Sequence, residues 1–162
     1  MIREATTQDL PEILTIYNHA IVHTTAVYTY DETTLDERQH WFTEKVLAGI
    51  PVYVYVHESK VVGFATYGPF RNWPAYQYTV EHSVYVHPDY QRKGIASRLL
   101  KQIETTLTDR GYQTVIAGID ASNKGSRALH ERHGFSHVGT LNKVGFKFDQ
   151  WLDLAFYQKQ LQ

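Results

Sequence analysis

Apolar positions along the chain follow two rhythms, one of helical spacing and one of alternation or short β-branched runs. Leu10, Ile13, Tyr17, Ala20 and Ile21 predict an amphipathic helix over about residues 9 to 22, with Thr7 as N-cap and Pro11 tolerated in the first turn. Leu35, Trp41, Phe42, Val46 and Leu47 mark a second helix, starting near Thr34 or Asp36 and stopped by Gly49 with Pro51 beyond. Ile95, Leu99, Ile103 and Leu107 form the stripe of a third that ends near Gly111. A short fourth runs from Ser122 to His133 and ends at Gly134. Strand candidates are Ile2 to Ala5, Val52 to Val56, Val61 to Tyr67, Val80 to Val86, Thr114 to Ile119, Phe135 to Leu141 and Trp151 to Tyr157. His57-Glu58-Ser59-Lys60 reads as a hairpin turn, and Gly68 to Gln77 as a Pro-containing loop rich in Trp and Tyr. The order predicts a mixed α/β chain with strands dominating its middle.

No repeat, low-complexity tract or linker divides the 162 residues, so a single domain over 1–162 is expected. With 43% hydrophobic and 20% charged residues the chain is globular, and a net charge of −1 without basic blocks disfavours nucleic acid as a partner. The absence of cysteine excludes disulfides, thiol catalysis and thiolate metal ligands. Without a long apolar segment or a signal-like start, no membrane association and a cytoplasmic location are expected. Nine histidines invite a metal reading. His19 and His23 are spaced i, i+4 but lack the glutamate of a zincin helix, and His130-Glu131-Arg132-His133 has the wrong spacing. No metal is assigned.

Chemistry is announced at one junction. The strand Val80 to Val86 ends at His87-Pro88, and Gln91-Arg92-Lys93-Gly94-Ile95-Ala96-Ser97 then opens a helix. Small residues at its first turn let unpaired amides face an anion, the helix dipole adds partial positive charge, and Arg92 and Lys93 add full charges at the rim. It reads as a pyrophosphate cradle.

With that cradle between strand and helix, the chain resembles the GNAT superfamily of acetyl-CoA-dependent N-acetyltransferases. Gln91-x-x-Gly94-x-Ala96 is similar to the family's pyrophosphate motif, and Asn123-x-x-Ser126-x-x-Leu129-His130-Glu131-x-x-Gly134-Phe135 to its next block. The resemblance implies the GNAT fold, a central, mixed, mostly antiparallel twisted sheet of about seven strands flanked by about four helices. Within the superfamily the chain most resembles the phosphinothricin, methionine sulfone and methionine sulfoximine acetyltransferases. That likeness rests on Ile16 to Ala20, Thr79 to Val86, Val144 to Lys147 and Trp151 to Asp153. It implies acetyl transfer from acetyl-CoA to the α-amine of a small amino-acid analogue, in detoxification, by a homodimer. Trp73 stands where the phosphinothricin enzymes carry an acceptor-loop arginine, with Arg71 two positions earlier, and Phe148 where some carry histidine.

The resemblance also implies roles for named residues. Glu81, by composition a solvent-facing strand carboxylate, becomes the base that relieves the attacking ammonium of its proton through a water. His130 is either a proton donor to the leaving thiolate or packing beneath the pantetheine arm. Val84 and Val86 offer main-chain groups to that arm, and an amide at or near Tyr85 serves the oxyanion. Asn123 caps a helix, binds the cofactor arm with Ser126, or does both. Apart from the resemblance, an acceptor carboxylate calls for a guanidinium fork, for which Arg71 in the aromatic loop is the best placed, with Trp73, Tyr76, Tyr78 and His82 expected to shape a pocket. Isolated loop aromatics are otherwise packing groups, and Lys147 reads as a solvated hairpin lysine or a source of positive charge. Rival functions are a GNAT enzyme for a polyamine, an aminoglycoside or a protein N-terminus, and a non-catalytic acyl-CoA-binding module.

Overall fold

The computed structural model describes residues 1–162. Seven strands form one sheet: β1 (Ile2–Glu4), β2 (Tyr53–His57), β3 (Lys60–Pro69), β4 (Thr79–Val86), β5 (Thr114–Asp120), β6 (Ser136–Lys147) and β7 (Gln150–Gln160), in the order β1-β2-β3-β4-β5-β7-β6. Every neighbouring pair is antiparallel except β4 and β5. The four helices are α1 (Leu10–His23), α2 (Leu35–Leu47), α3 (Ile95–Asp109) and α4 (Lys124–Arg132).

Two apolar cores lie on the two faces of this sheet. On one, Leu10, Ile13 and Ile16 of α1 pack against Val54, Val61 and Phe64. On the other, Ile95, Leu99, Ile103 and Leu107 of α3 meet Val62, Ala65, Val80, Val115 and Tyr157. The predicted α3 stripe is wholly buried, and truncating Ile103 to Ala would cost about 2–5 kcal/mol. A long loop precedes α2, whose start is capped by Thr34 accepting from the Glu37 amide.

Two of the boundaries that differ from expectation matter here. The N-cap of α1 is Asp9 rather than Thr7, which lies in a 3-10 turn (Thr7–Asp9) capped by Thr6: the Thr6 amide donates to Asp9, whose buried carboxylate also accepts two bonds from Arg3 at 2.7 and 2.9 Å. Strand β6 begins after Phe135 and runs six residues past Leu141 to Lys147. Asn142-Lys143 resembles a turn, but Lys143 sits at φ 54° inside a register shift between Leu141 and Gly145, and the strand continues beyond it. The real turn is Phe148-Asp149, both at positive φ.

The feature that makes a site is the fork between β4 and β5. Their parallel pairing covers only Thr79 to Glu81 against Thr114 to Ile116, while β4 stays paired with β3 as far as Val86. Beyond Glu81 one edge of β4 faces open space.

Candidate active site

The fork opens into a cavity of about 540 Å³ lined from both faces of the sheet and from α1, α2 and α4. Side chains of a strand alternate between faces. Glu81, Ser83 and Tyr85 therefore point toward α1 and α2, while His82, Val84 and Val86 point toward α3 and α4. Main-chain groups alternate as well. The His87 amide donates to Val62 O at 2.8 Å, and this fixes odd-numbered residues of β4, Tyr85 included, as the ones bonded to β3. Val84 and Val86 direct their amides into the fork, as expected. The Tyr85 amide does not; of the amides at or near Tyr85, those of Val84 and Val86 are the ones that face the fork.

Below the fork, Gln91 to Gly94 make a tight turn with Arg92 at φ 62° and Gly94 at φ 79°, the latter as N-cap of α3. The first α3 amide with a main-chain acceptor is that of Arg98, bonded to Gly94 O. The amides of Arg92, Lys93, Gly94, Ile95, Ala96 and Ser97 have no acceptor within the protein, which is the donor set an anion needs. Gln91, Arg92 and Lys93 are exposed around it, and Ile95 is buried as the anchor. The Ser97 hydroxyl is engaged by His133 Nε2 at 2.7 Å, leaving Ser97 its amide to offer. On the opposite side of the fork, Asn123 caps α4 by accepting from the Ser126 amide, and both residues line the cavity.

On the α1/α2 side, Glu81 faces Gly118 of β5; a Cβ there would lie 3.0 Å from Glu81 Oε2. Burial raises the Glu81 pKa, and the Arg71 guanidinium opposes that rise. Tyr85 stacks edge-on to Tyr17 at 5.4 Å, and burial, with Tyr17 nearby, pushes its hydroxyl pKa up. The loop after β3 contributes less than its composition suggested. Arg71, Trp73, Tyr76 and Tyr78 are exposed, Trp73 by 74%, and none of them lines the cavity. Arg71 acts on Glu81 only through its charge.

On the α3/α4 side lies a buried imidazole pair. His82 and His130 stack with ring centroids 5.1 Å apart and Nε2 atoms at 3.1 Å. His130 Nδ1 lies 2.7 Å from Ser126 O, and a carbonyl can only accept. The proton therefore sits on Nδ1, and His130 Nε2 accepts from His82 Nε2–H. His82 Nδ1 is left buried without a partner. Burial lowers the pKa of both rings, that of His82 to about 3. A neutral His130 in this arrangement has no free N–H. Of the two roles expected for it, packing is the one this bonding supports.

Lys147 is corrected outright. It is 3% exposed, and its Nζ donates to the carbonyls of Ile21, Thr24 and Val27 at 2.6–2.8 Å. A buried ammonium thus closes the C-terminus of α1 and the loop after it, where carbonyls lack helical partners. Thr25 and Tyr28 of that loop bond the buried Asp120 carboxylate, and the Tyr28 ring occupies space that a side chain at Gly145 would fill. The loop is clasped over the mouth of the fork.

The sequence profile of the acetyltransferase (GNAT) family matches residues 10–135. The chain belongs to that family. It is 41% identical over 160 residues to the L-amino acid N-acyltransferase MnaT of Escherichia coli, covering 99% of this chain and 93% of that protein. It is 40% identical to the L-methionine sulfoximine/L-methionine sulfone acetyltransferase of Salmonella typhimurium, covering 99% and 94%. Among solved structures, an N-acetyltransferase from Staphylococcus aureus superposes with a TM-score of 0.99 at 54% identity, covering 100% of this chain and 98% of that one. A phosphinothricin acetyltransferase from Sinorhizobium meliloti in complex with acetyl-CoA gives 0.96 at 34%, covering 99% and 87%.

The GNAT sheet and helices are those the resemblance implied, and this GNAT chain is an acyltransferase. Its cavity nonetheless includes residues that sequence reading passed over: Tyr17, Tyr28, Arg38, Lys45, Gly118 and Asp120. One signal was present. Arg38, Trp41 and Lys45 are spaced i, i+3, i+7, one face of α2 carrying two cations around an aromatic.

Proposed function

We propose that the protein transfers the acetyl group of acetyl-CoA to the α-amine of a small amino-acid analogue of the methionine sulfone, methionine sulfoximine or phosphinothricin type. The observation that carries the reading is a single cavity joining the half-buried Glu81 carboxylate to the open edge of β4. The free amides of residues 92–97 receive the diphosphate, and Val84 and Val86 pair with the pantetheine arm like an added strand. Glu81 takes one proton from the ammonium through a water, the freed amine nitrogen attacks the thioester carbonyl carbon, and the carbon–sulfur bond breaks to release the coenzyme A thiolate, which takes up the second proton lost by the nitrogen. The Val84 amide meets the developing oxyanion. The raised pKa of Glu81 brings it closer to that of the amine it must deprotonate.

Arg38 and Lys45 line the cavity, which favours an acceptor that carries negative charge and disfavours a polyamine or aminoglycoside. Arg71, exposed outside the cavity wall but within electrostatic reach of Glu81, is assigned the acceptor α-carboxylate at the cavity's rim. The whole chain is read as one catalytic domain that acts in the cytoplasm, detoxifying such analogues. Its assembly is read as a homodimer, for which the edge strand β6 offers exposed Val138, Leu141, Val144 and Phe146. The test is a panel of amines, including methionine sulfone, methionine sulfoximine, phosphinothricin, spermidine and an aminoglycoside, followed by release of free CoA. Turnover confined to the amino-acid analogues is expected; turnover confined to the polycations, or none at all, sinks the reading.

A further inference from the structure

The guanidinium of Arg38 is the least explained charge in the molecule. It is half-buried on α2 and lines the cavity. Its Cζ sits 4.2 Å from the centroid of Tyr17 and 4.4 Å from that of Trp41, held between two rings. No carboxylate lies within ion-pair distance of it, in contrast to Arg3 with its bidentate partner Asp9. Its Nε is buried with no hydrogen-bond partner. A half-buried cation with an orphaned donor is costly to leave unmatched, and it faces the space where the acceptor must lie.

Its position relative to the reacting end is set by β4. Tyr85 shares a face with Glu81 but stands four residues further along, about 13 Å in an extended strand. Arg38 reaches that far end, stacked on the Tyr17 ring whose edge meets Tyr85. Arg71 follows Phe70, whose amide bonds Thr79 O at the other end of β4. The two guanidiniums therefore stand toward opposite ends of β4, Arg71 exposed outside the cavity wall near the Thr79 end and Arg38 on the wall toward Tyr85. Lys45, on the same α2 face, donates to Tyr67 O and lines the cavity between α2 and β3.

We propose that Arg38, clamped between Tyr17 and Trp41, is a second anion subsite that takes a negatively charged group at the far end of the acceptor side chain, while Arg71 takes the α-carboxylate. This rests on the proposed transfer to an α-amine at Glu81 and deepens it. The favoured acceptor is an amino acid acidic at both ends, with a phosphinate or a second carboxylate on its side chain. A guanidinium distinguishes such an anion from a neutral sulfone by charge as well as by hydrogen bonds.

The experiment compares wild type with Arg38→Gln and Arg38→Lys on phosphinothricin, whose side chain ends in an anion, and methionine sulfone, whose side chain does not. For Arg38→Gln, kcat/KM for phosphinothricin should fall at least tenfold more than for methionine sulfone, mainly through KM. Arg38→Lys should recover part of the difference, because it keeps the charge. Equal losses on both acceptors, or none on either, overturn the subsite. Acetyl-CoA affinity and the melting temperature identify a variant that has failed to fold; if Arg38→Gln fails, Arg38→Met is used in its place. If wild type turns over neither acceptor, the acetyl-transfer reading has failed independently. Calorimetric titration of phosphinothricin into wild type and Arg38→Gln then decides the subsite, and identical affinities overturn it.

Discussion

The two halves of the cavity are built from different materials. The side proposed for the acetyl donor consists of main chain: consecutive amides from Arg92 onward and the unpaired edge of β4 at Val84 and Val86. The acceptor side consists of side chains delivered by separate elements, with Tyr17 from α1, Arg38 and Lys45 from α2, Glu81 and Tyr85 from β4, and a gap at Gly118 of β5. Amides are the same whichever residue bears them, so the donor half tolerates substitution wherever the backbone keeps its course. The acceptor half changes with every side chain. Chemistry common to a family belongs in the first, and selection among amines in the second.

Removing the proposed base breaks this comparison most directly. Glu81→Gln keeps size and hydrogen bonding but cannot accept a proton, so kcat should fall by about 10²–10⁴. Acetyl-CoA affinity, which rests on amides elsewhere, should stay within about twofold by calorimetry. A parallel loss of donor affinity would show that the halves are not separate.

The clasp over the fork is the next largest effect. Lys147→Met removes one ammonium and strands three carbonyls, those of Ile21, Thr24 and Val27. A loss of about 2–4 kcal/mol in urea unfolding is expected. The acceptor KM should rise as the loop carrying Tyr28 loosens. A change in stability below about 0.5 kcal/mol would return Lys147 to the solvated account.

On the donor side the sensitive position is a glycine. Gly94 has φ 79°, and a Cβ there meets nothing within 4 Å. Gly94→Ala is therefore opposed only by the left-handed backbone, a cost of about 1 kcal/mol. If the turn relaxes to escape it, acetyl-CoA affinity should fall by up to about tenfold, with the acceptor KM almost unmoved. The reverse pattern would contradict the division of the cavity.

The same division explains what could be read in advance. Helices α1 to α4 and the hairpin at Glu58-Ser59 follow from periodicity and turn chemistry, which are local. The cradle at residues 91–97 is local too, a strand, a turn and a helix start in one contiguous segment. Lys147 is different. Nothing beside Lys147 in the sequence tells that its partners lie more than a hundred residues away in α1 and the loop after it. The aromatic loop depends on the fold in the same way: Trp73 and Tyr76 are conspicuous in sequence, and the chain leaves them at the surface, outside the cavity lining. Even the choice between Tyr85 and Val84 as oxyanion donor depends on which edge of β4 pairs with β3, a fact of register.

The smallest effect expected is also the finest test of the acceptor side. Burial raises the pKa of Glu81, and the positive charge of Arg71 holds it back. A base works only when deprotonated, so kcat should decline as pH falls through that raised value. Arg71→Gln removes the restraining charge, and the acidic limb should then move to higher pH. Because Arg71 is exposed and screened by solvent, the movement should be a fraction of a pH unit and should shrink in high salt. Arg38→Gln, acting at the far end beyond Tyr85, should leave the limb where it is. If both variants move it equally, the two guanidiniums sense the same carboxylate, and the ordering of the acceptor pocket from Arg71 through Glu81 and Tyr85 to Arg38 is wrong.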